Sequence, residues 1–266
     1  GGMKINPAHH SGILSTGGIT VSGIGDVYVS PSMIYRTYSL FTHDESEGAN
    51  LNASFDAKVR YIDTANQDYA VYRDDMGNIY WYVNSTAYPT RYTPIGAGLD
   101  PGSRTGSFSG FMRWGDGTST LYTSDNRTRK FAASGYVIED GDRNGNKIIY
   151  VRDTDNFVTQ IQIPVESGYS RTITINYAIY YTDQNNVQYK RLNYIQYPDG
   201  IKYTYTYNST STNFYLTQIT VTDSSNTVLD FWTYEYESLT GKVVHTVYSN
   251  NGTNTNVLWR LMRIKD

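Results

Sequence analysis

The sequence predicts an all-β chain of antiparallel hairpins and meanders with little helix. Three observations carry that prediction. Tyrosine dominates the aromatics, at 27 Tyr against 8 Phe and 4 Trp, and tyrosine favours strands while keeping its hydroxyl wet. Apolar residues alternate with polar ones over several segments, the mark of strands with one packed face. Clusters of Gly, Asn and Asp punctuate these runs as turns do.

The elements follow in order. Residues 1 to about 20 mix Gly, Ser and Pro without period and read as a flexible arm or a first edge strand. The opening Gly1-Gly2-Met3-Lys4 has no apolar signal core and reads as a cloning scar. Ile24 to Tyr38, broken by Pro31, fits two short strands around a turn. Asp44 to Asn52 reads as a polar loop. Phe55, Val59, Tyr61 and Ile62 mark a strand, then Tyr69, Val71 and Tyr72 another. Asp74 to Asn78 is a turn, and Ile79 to Val83 closes a hairpin. Residues 88 to 110, with Pro89, Pro94 and Pro101 among glycines, read as a long loop or linker.

Alternation is cleanest in the second half. Ile173, Ile175, Tyr177, Ile179 and Tyr181 share one face of a strand, and Thr172, Thr174, Asn176 and Ala178 the other. Tyr203, Tyr205 and Tyr207 alternate with Lys202, Thr204 and Thr206. Ile219 and Val221 alternate with Gln218, Thr220 and Thr222. No segment has a 3.6-residue period with caps.

Composition removes several function classes. A net charge of −3, from 22 basic and 25 acidic residues, offers no basic field for nucleic acid or an anionic membrane. No apolar run reaches the roughly 18 residues of a helical span. With no cysteine there is no disulfide framework. Sequons at Asn52, Asn84, Asn126, Asn208 and Asn251 carry little weight in a chain this rich in Asn, Ser and Thr.

The second half also repeats, with a period of roughly 20 to 25 residues. Asp142-Arg143-Asn144-Gly145-Asn146 precedes Ile148, Ile149 and Tyr150. Tyr197-Pro198-Asp199-Gly200 precedes Ile201, Tyr203 and Tyr205. Leu216 to Ile219 with Asp223 precedes Phe231, Trp232 and Tyr234. These residues, with Trp114-Gly115-Asp116-Gly117, resemble the tyrosine-aspartate (YD) repeats of bacterial RHS proteins and related toxin-complex and teneurin shells. The resemblance spans about residues 110 to 266 and is faint before that, where Tyr72 to Asn78 is its best echo. The family's Tyr-Asp pair followed by Gly-Arg-Leu is degenerate here; Tyr150 and Asp153 keep only a spacing. The resemblance implies a repeated β-sheet wound into a hollow shell around a toxic cargo. No cargo and no Asp-Pro self-cleavage region is evident, so the chain is expected to be an early shell segment of a longer protein.

Candidate chemistry is sparse. Asp140-Gly141-Asp142-Arg143-Asn144-Gly145 matches the opening of a calcium loop, but Val151 stands where a bidentate Glu belongs. A hairpin turn with Asn144-Gly145 in the left-handed region is the preferred reading. His9, His10, His43 and His245 make no zinc spacing. Gly106 to Gly110 has Phe108 where a nucleophilic serine belongs. Gly23 to Tyr28 lacks the third glycine of a dinucleotide loop. Glycosidase chemistry needs two carboxyl groups across a cleft; the candidates are Asp74 with Asp75, Glu139 with Asp140, and Glu235 with Glu237. Their plainer reading is solvated turn and edge charge. Tyr80-Trp81-Tyr82 and Phe231-Trp232 could stack on sugars, but the Tyr face is also the Ile/Val face, which favours packing.

The expected organisation is an arm over 1–20, an N-terminal β region over 21–109, and a curled YD-repeat-type sheet over 110–266. The expected role is non-catalytic: a structural segment of a secreted or cell-surface shell, with no cofactor and no metal. Its partners are expected to be neighbouring repeats of a longer parent chain, with toxin cargo or a cell-surface glycan beyond them. The alternatives are a carbohydrate-binding adhesin or phage-tail module, and then a glycoside-acting enzyme.

Overall fold

A computed structural model describes residues 3–6, 11–15, 18–25, 27–36, 51–75, 79–84, 89–95, 110–123, 125–165, 168–182, 188–210, 213–238 and 259–265. The first strands are β1 (Met3–Asn6), β2 (Ser11–Ser15), β3 (Val21–Ser22), β4 (Tyr28–Val29), β5 (Met33–Arg36), β6 (Leu51–Ala53), β7 (Lys58–Ile62) and β8 (Tyr69–Arg73). Then come β9 (Ile79–Asn84), β10 (Arg91–Pro94), β11 (Gly110–Arg113), β12 (Ser119–Tyr122), β13 (Thr128–Phe131), β14 (Val137–Gly141), β15 (Lys147–Arg152) and β16 (Val158–Pro164). The last are β17 (Ser170–Thr182), β18 (Gln188–Gln196), β19 (Lys202–Thr210), β20 (Asn213–Thr222), β21 (Val228–Ser238) and β22 (Trp259–Lys265).

The protein is all-β, and no α-helix occurs among the described residues. Strands β7 to β22 neighbour one another in chain order in a 16-stranded sheet; β1-β2-β5-β6 and β3-β4 form two smaller sheets. The chain divides into two compact units, one of residues 18–32 and 53–174, the other of 1–17, 33–52 and 175–266.

Three differences from the sequence reading stand out. The stretch 1–20 holds a hairpin, with Met3 of β1 opposite Leu14 of β2, so the edge-strand alternative describes it better than an arm. The expected linker over 88–110 contains β10, and Tyr92 pairs with Phe111 of β11 across the boundary placed at 109. Pro94 is tolerated because it is the last residue of β10, where a missing N–H costs least. Residues 96–109 and the loop expected over 44–50 lie outside the described residues.

The meander is built on one turn, used repeatedly. In turns beginning at Trp114, Thr123, Ala132, Asp142, Asp153, Tyr197 and Asp223, the first residue's N–H donates to the carbonyl four residues on. The fourth residue's N–H donates back to the first carbonyl. That fourth residue has positive φ every time: Gly117, Asn126, Gly135, Gly145, Asn156, Gly200 and Asn226, at 61–86°. This is the three-residue hairpin loop closed by a left-handed bulge residue, a position suited to Gly and Asn. Of the Asn144-Gly145 pair only Gly145 is left-handed. Asp side chains stiffen the loop: Oδ1 of Asp142, Asp153 and Asp223 each accepts two amide N–H groups, from Asn144 and Asn146, Asp155 and Phe157, and Ser225 and Thr227.

In the unit of 18–32 and 53–174, the sheet rolls up. Adjacent strands lie about 4.8 Å apart, so β8 and β11, three ladders apart, would be about 14 Å apart in a flat sheet. Yet the rings of Tyr72 and Phe111 meet at 5.6 Å, and those of Tyr72 and Phe131 on β13 at 5.9 Å. Phe111, Phe131, Tyr92 and Ala70 fill the interior with almost no exposure. The roll closes where β7 meets the turn between β13 and β14. Val59 N–H donates to the Gly135 carbonyl at 2.8 Å, and Val137 N–H to the Ala57 carbonyl at 3.1 Å.

In the other unit, Ile175, Leu192, Ile195, Tyr205, Tyr207, Leu216 and Ile219 are buried. The long hairpin β19-β20 pairs Tyr205 with Ile219 and Tyr203 with Val221. The period-two face of β17, which runs from one unit into the other, is buried at Ile173 and Ile175 but 52% exposed at Ile179.

Candidate functional site

Two of the polar clusters in the rolled unit join several strands. The first is centred on Arg129, on the inward face of β13 two residues before the buried Phe131. The β13–β14 register sets Arg129 opposite Asp140. The pair is bidentate: Nε donates to Oδ1 at 2.6 Å and Nη2 to Oδ2 at 2.7 Å, the strong fork geometry of Arg and carboxylate. Arg129 Nη1 reaches Asp75 Oδ2 at 2.8 Å and the Tyr72 hydroxyl at 3.0 Å. From β15, the Tyr150 hydroxyl donates to Asp140 Oδ2 at 2.8 Å. One guanidinium thus ties the end of β8 to β13, β14 and β15.

Two carboxylates share that one cation. Asp75 Oδ1 is buried and has no hydrogen-bond partner. Burial raises the Asp75 carboxyl to about 6; Arg129 opposes the rise, and Asp140 adds to it. Burial works against the charge of Arg129, but Asp140 and Asp75 beside it hold it well above its ordinary value. Burial also raises the phenols of Tyr72 and Tyr150.

The second cluster sits at the closure of the roll. Asp56 accepts from Arg73 Nη2 at 3.4 Å and Arg152 Nη1 at 3.2 Å. Arg152 Nε donates to the Val137 carbonyl at 2.9 Å, and Nη1 also donates to the Asn156 carbonyl. The Tyr136 ring carries Lys58 Nζ at 4.2 Å and Arg152 Cζ at 4.8 Å from its centroid, cation–π contacts on the turn that β7 grips.

The sequence candidates are placed as follows. Asp75 and Asp140, one from each of two proposed carboxylate pairs, meet on Arg129. Their sequence neighbours go elsewhere: Asp74 accepts from the Tyr80 hydroxyl at 3.1 Å, and Glu139 pairs with Lys147 at 3.0 Å. Glu235 and Glu237 stand opposite Arg263 and Arg260 in the β21–β22 register. The calcium-like oxygens have other partners. Asp140 holds Arg129, and Asp142 holds the amides of its own turn and the Asn146 side chain. Among the described residues, no group of three or more His, Cys, Asp and Glu is arranged to hold a metal ion. All four histidines and Gly106 to Ser109 lie outside the described residues. Gly23 to Gly25 belongs to the β3–β4 hairpin, where Ile24 N–H donates to the Pro164 carbonyl at 3.1 Å.

The aromatic candidates split. Tyr82 is buried against Phe111, with ring centroids 4.9 Å apart. Trp81, on the opposite face of β9, is 45% exposed, stands opposite Val71 and meets Tyr69 edge-on at 6.2 Å. Tyr80 is equally exposed but stacks on Tyr72. Trp232 stacks on Tyr203 at 6.4 Å, while Phe231 beside it is exposed.

Arg129, Arg152, Asp56 and Tyr136 were not candidates in the sequence. The signal for Arg129 was present: Arg129 and Phe131 share one face by period two, so a charge stood on a core face and required a partner.

No family model matches the chain, and no curated protein matches it. A solved structure with some likeness is the N-terminal domain of effector protein SpvB from Salmonella typhimurium strain LT2. It has 10% identity over 95% of this chain and 97% of that one, with a TM-score of 0.43. A likeness of that size assigns no activity.

Proposed function

We propose that this chain is a non-catalytic structural segment of a secreted or surface-displayed shell of the RHS/YD-repeat kind. The observation that supports the reading is the repeated turn. Hairpins closed by one hydrogen-bond pattern follow one another through the meander and carry the Asp and Gly residues on which the YD resemblance rests. A run of hairpins joined by one repeated turn suits a wall. The two polar clusters suit the same role, because their ion pairs tie strands together.

The test is electron microscopy of the parent protein in its secreted form. A hollow, β-walled particle supports the reading. A particle in which these strands form a separate lobe on a stalk contradicts it.

A second reading, a carbohydrate-binding module, is favoured by Trp81 alone. Its ring is exposed and held in place by Tyr69, an arrangement that suits stacking on a sugar face. One reproducible sugar class on a glycan array, lost in Trp81→Ala, would select this reading.

A further inference from the structure

We infer that the Arg129 cluster is a proton-operated latch, in which two carboxylates on one guanidinium take up one proton in mild acid and hold the rolled sheet more firmly. The geometry carries the inference. Asp140 takes the bidentate face of Arg129, leaving Asp75 a single contact through Oδ2. Asp75 Oδ1 is buried with no hydrogen-bond partner, which is costly for an ionised carboxylate.

The groups around Asp75 can be named strand by strand. Arg129 comes from β13, Asp140 from β14 and Tyr150 from β15; Tyr72 lies on β8, and Asp74 is adjacent in sequence. Arg129 is the cation of the cluster, set against Asp75 and Asp140, with Asp74 adding negative charge from beside them. The tyrosines stay neutral at any physiological pH, because burial raises them further. A single proton therefore brings Arg129 and its two carboxylates to neutrality, and Asp75 is the group placed to take it.

The direction of the effect follows by linkage. The Asp75 carboxyl stands at about 6 in the folded protein against an ordinary 3.8. The folded state thus binds the proton more readily than the unfolded state. The stabilisation is fully present below the ordinary value and is lost as pH rises through about 6. Between pH 7.5 and 5 the unfolding equilibrium constant should fall about tenfold from this group alone. Asp116 and Asp125, whose turn hydrogen bonds lower their carboxyls, act oppositely and only at more acidic pH.

The experiment has two arms. In the folded wild-type chain, carbon-13 NMR of the Asp side chains follows the Asp75 carboxyl directly. A midpoint near 6, falling toward the ordinary range in Asp140→Asn, is expected; a wild-type midpoint near 4 overturns the latch. Urea unfolding at pH 5 and 7.5 then compares wild type with Asp75→Asn. Wild type should gain stability in acid, and Asp75→Asn should lose that part of the gain, which also removes any contribution of the histidines from the comparison. Equal pH dependence in the two proteins overturns the latch.

Discussion

Gly135 lies so close to Val59 that a Cβ on it would sit 2.1 Å from the Val59 carbonyl oxygen. The same glycine has φ +85° and accepts the Val59 N–H at 2.8 Å. One residue therefore closes the roll in two ways: it makes the left-handed turn, and it allows strand β7 to pass within hydrogen-bonding distance.

Gly135→Ala should separate these effects when compared with Gly145→Ala. Both positions are left-handed, but a Cβ at Gly145 meets nothing within 4 Å. Gly145→Ala should cost about 1–2 kcal/mol from backbone strain alone. Gly135→Ala should cost clearly more and loosen β7. Urea unfolding reads the difference, and hydrogen exchange at Val59 and Val137 reports the closure. Equal costs would mean that β7 does not depend on the contact.

Arg129→Met removes the cation that Asp140 and Asp75 share and leaves two carboxylates in a partly buried site. Breaking such a pair costs about 3–5 kcal/mol. The double variant Arg129→Met/Asp140→Leu should recover part of that loss, because Asp75 alone is then left without its cation, where the single variant strands both Asp75 and Asp140. Denaturant midpoints of the two proteins test this; a double variant weaker than the single one would contradict it.

Asp153→Ala should cost about 1–2 kcal/mol, since two turn amides lose their shared acceptor. Asn156→Gly in the same turn should be close to neutral, because φ 68° suits either residue. Thermal midpoints of both variants check the assignment of the turn. A large loss from Asn156→Gly would show that the Asn side chain does more than tolerate the backbone.

Trp81→Ala should leave the unfolding midpoint nearly unchanged, whereas Phe111→Ala should cost about 3–5 kcal/mol. Trp81 is half exposed on the outer face, and Phe111 lies between Tyr72, Tyr82 and Phe131 with no exposure. A large loss from Trp81→Ala would assign that ring to packing and remove the support for a sugar platform.

Much of the strand pattern was legible. The alternation around Ile173, Tyr205 and Ile219 is a local property with a period of two, and burial follows it. The hairpin from Tyr69 to Val83 was equally plain, with Arg73 paired to Ile79. What escaped was non-local. Nothing near Phe111 announces that Tyr72 will touch it from three ladders away, because the roll is a sum of twists and bulges. Arg129 stood on a core face in plain view, yet its second partner, Asp75, lies 54 positions earlier in the chain. The repeat was legible for a local reason as well. Its most recognisable residues, such as Asp142, Gly145, Asp199 and Gly200, are the ones the turn requires.

The central proposal is that these hairpins are wall rather than ligand site, and electron cryo-microscopy of the natural full-length protein tests it most directly. The account predicts that the β7–β22 meander lies within a continuous β-sheet wall that further hairpins extend. A map in which the meander forms a free-standing lobe, with bound sugar density over Trp81, would contradict it.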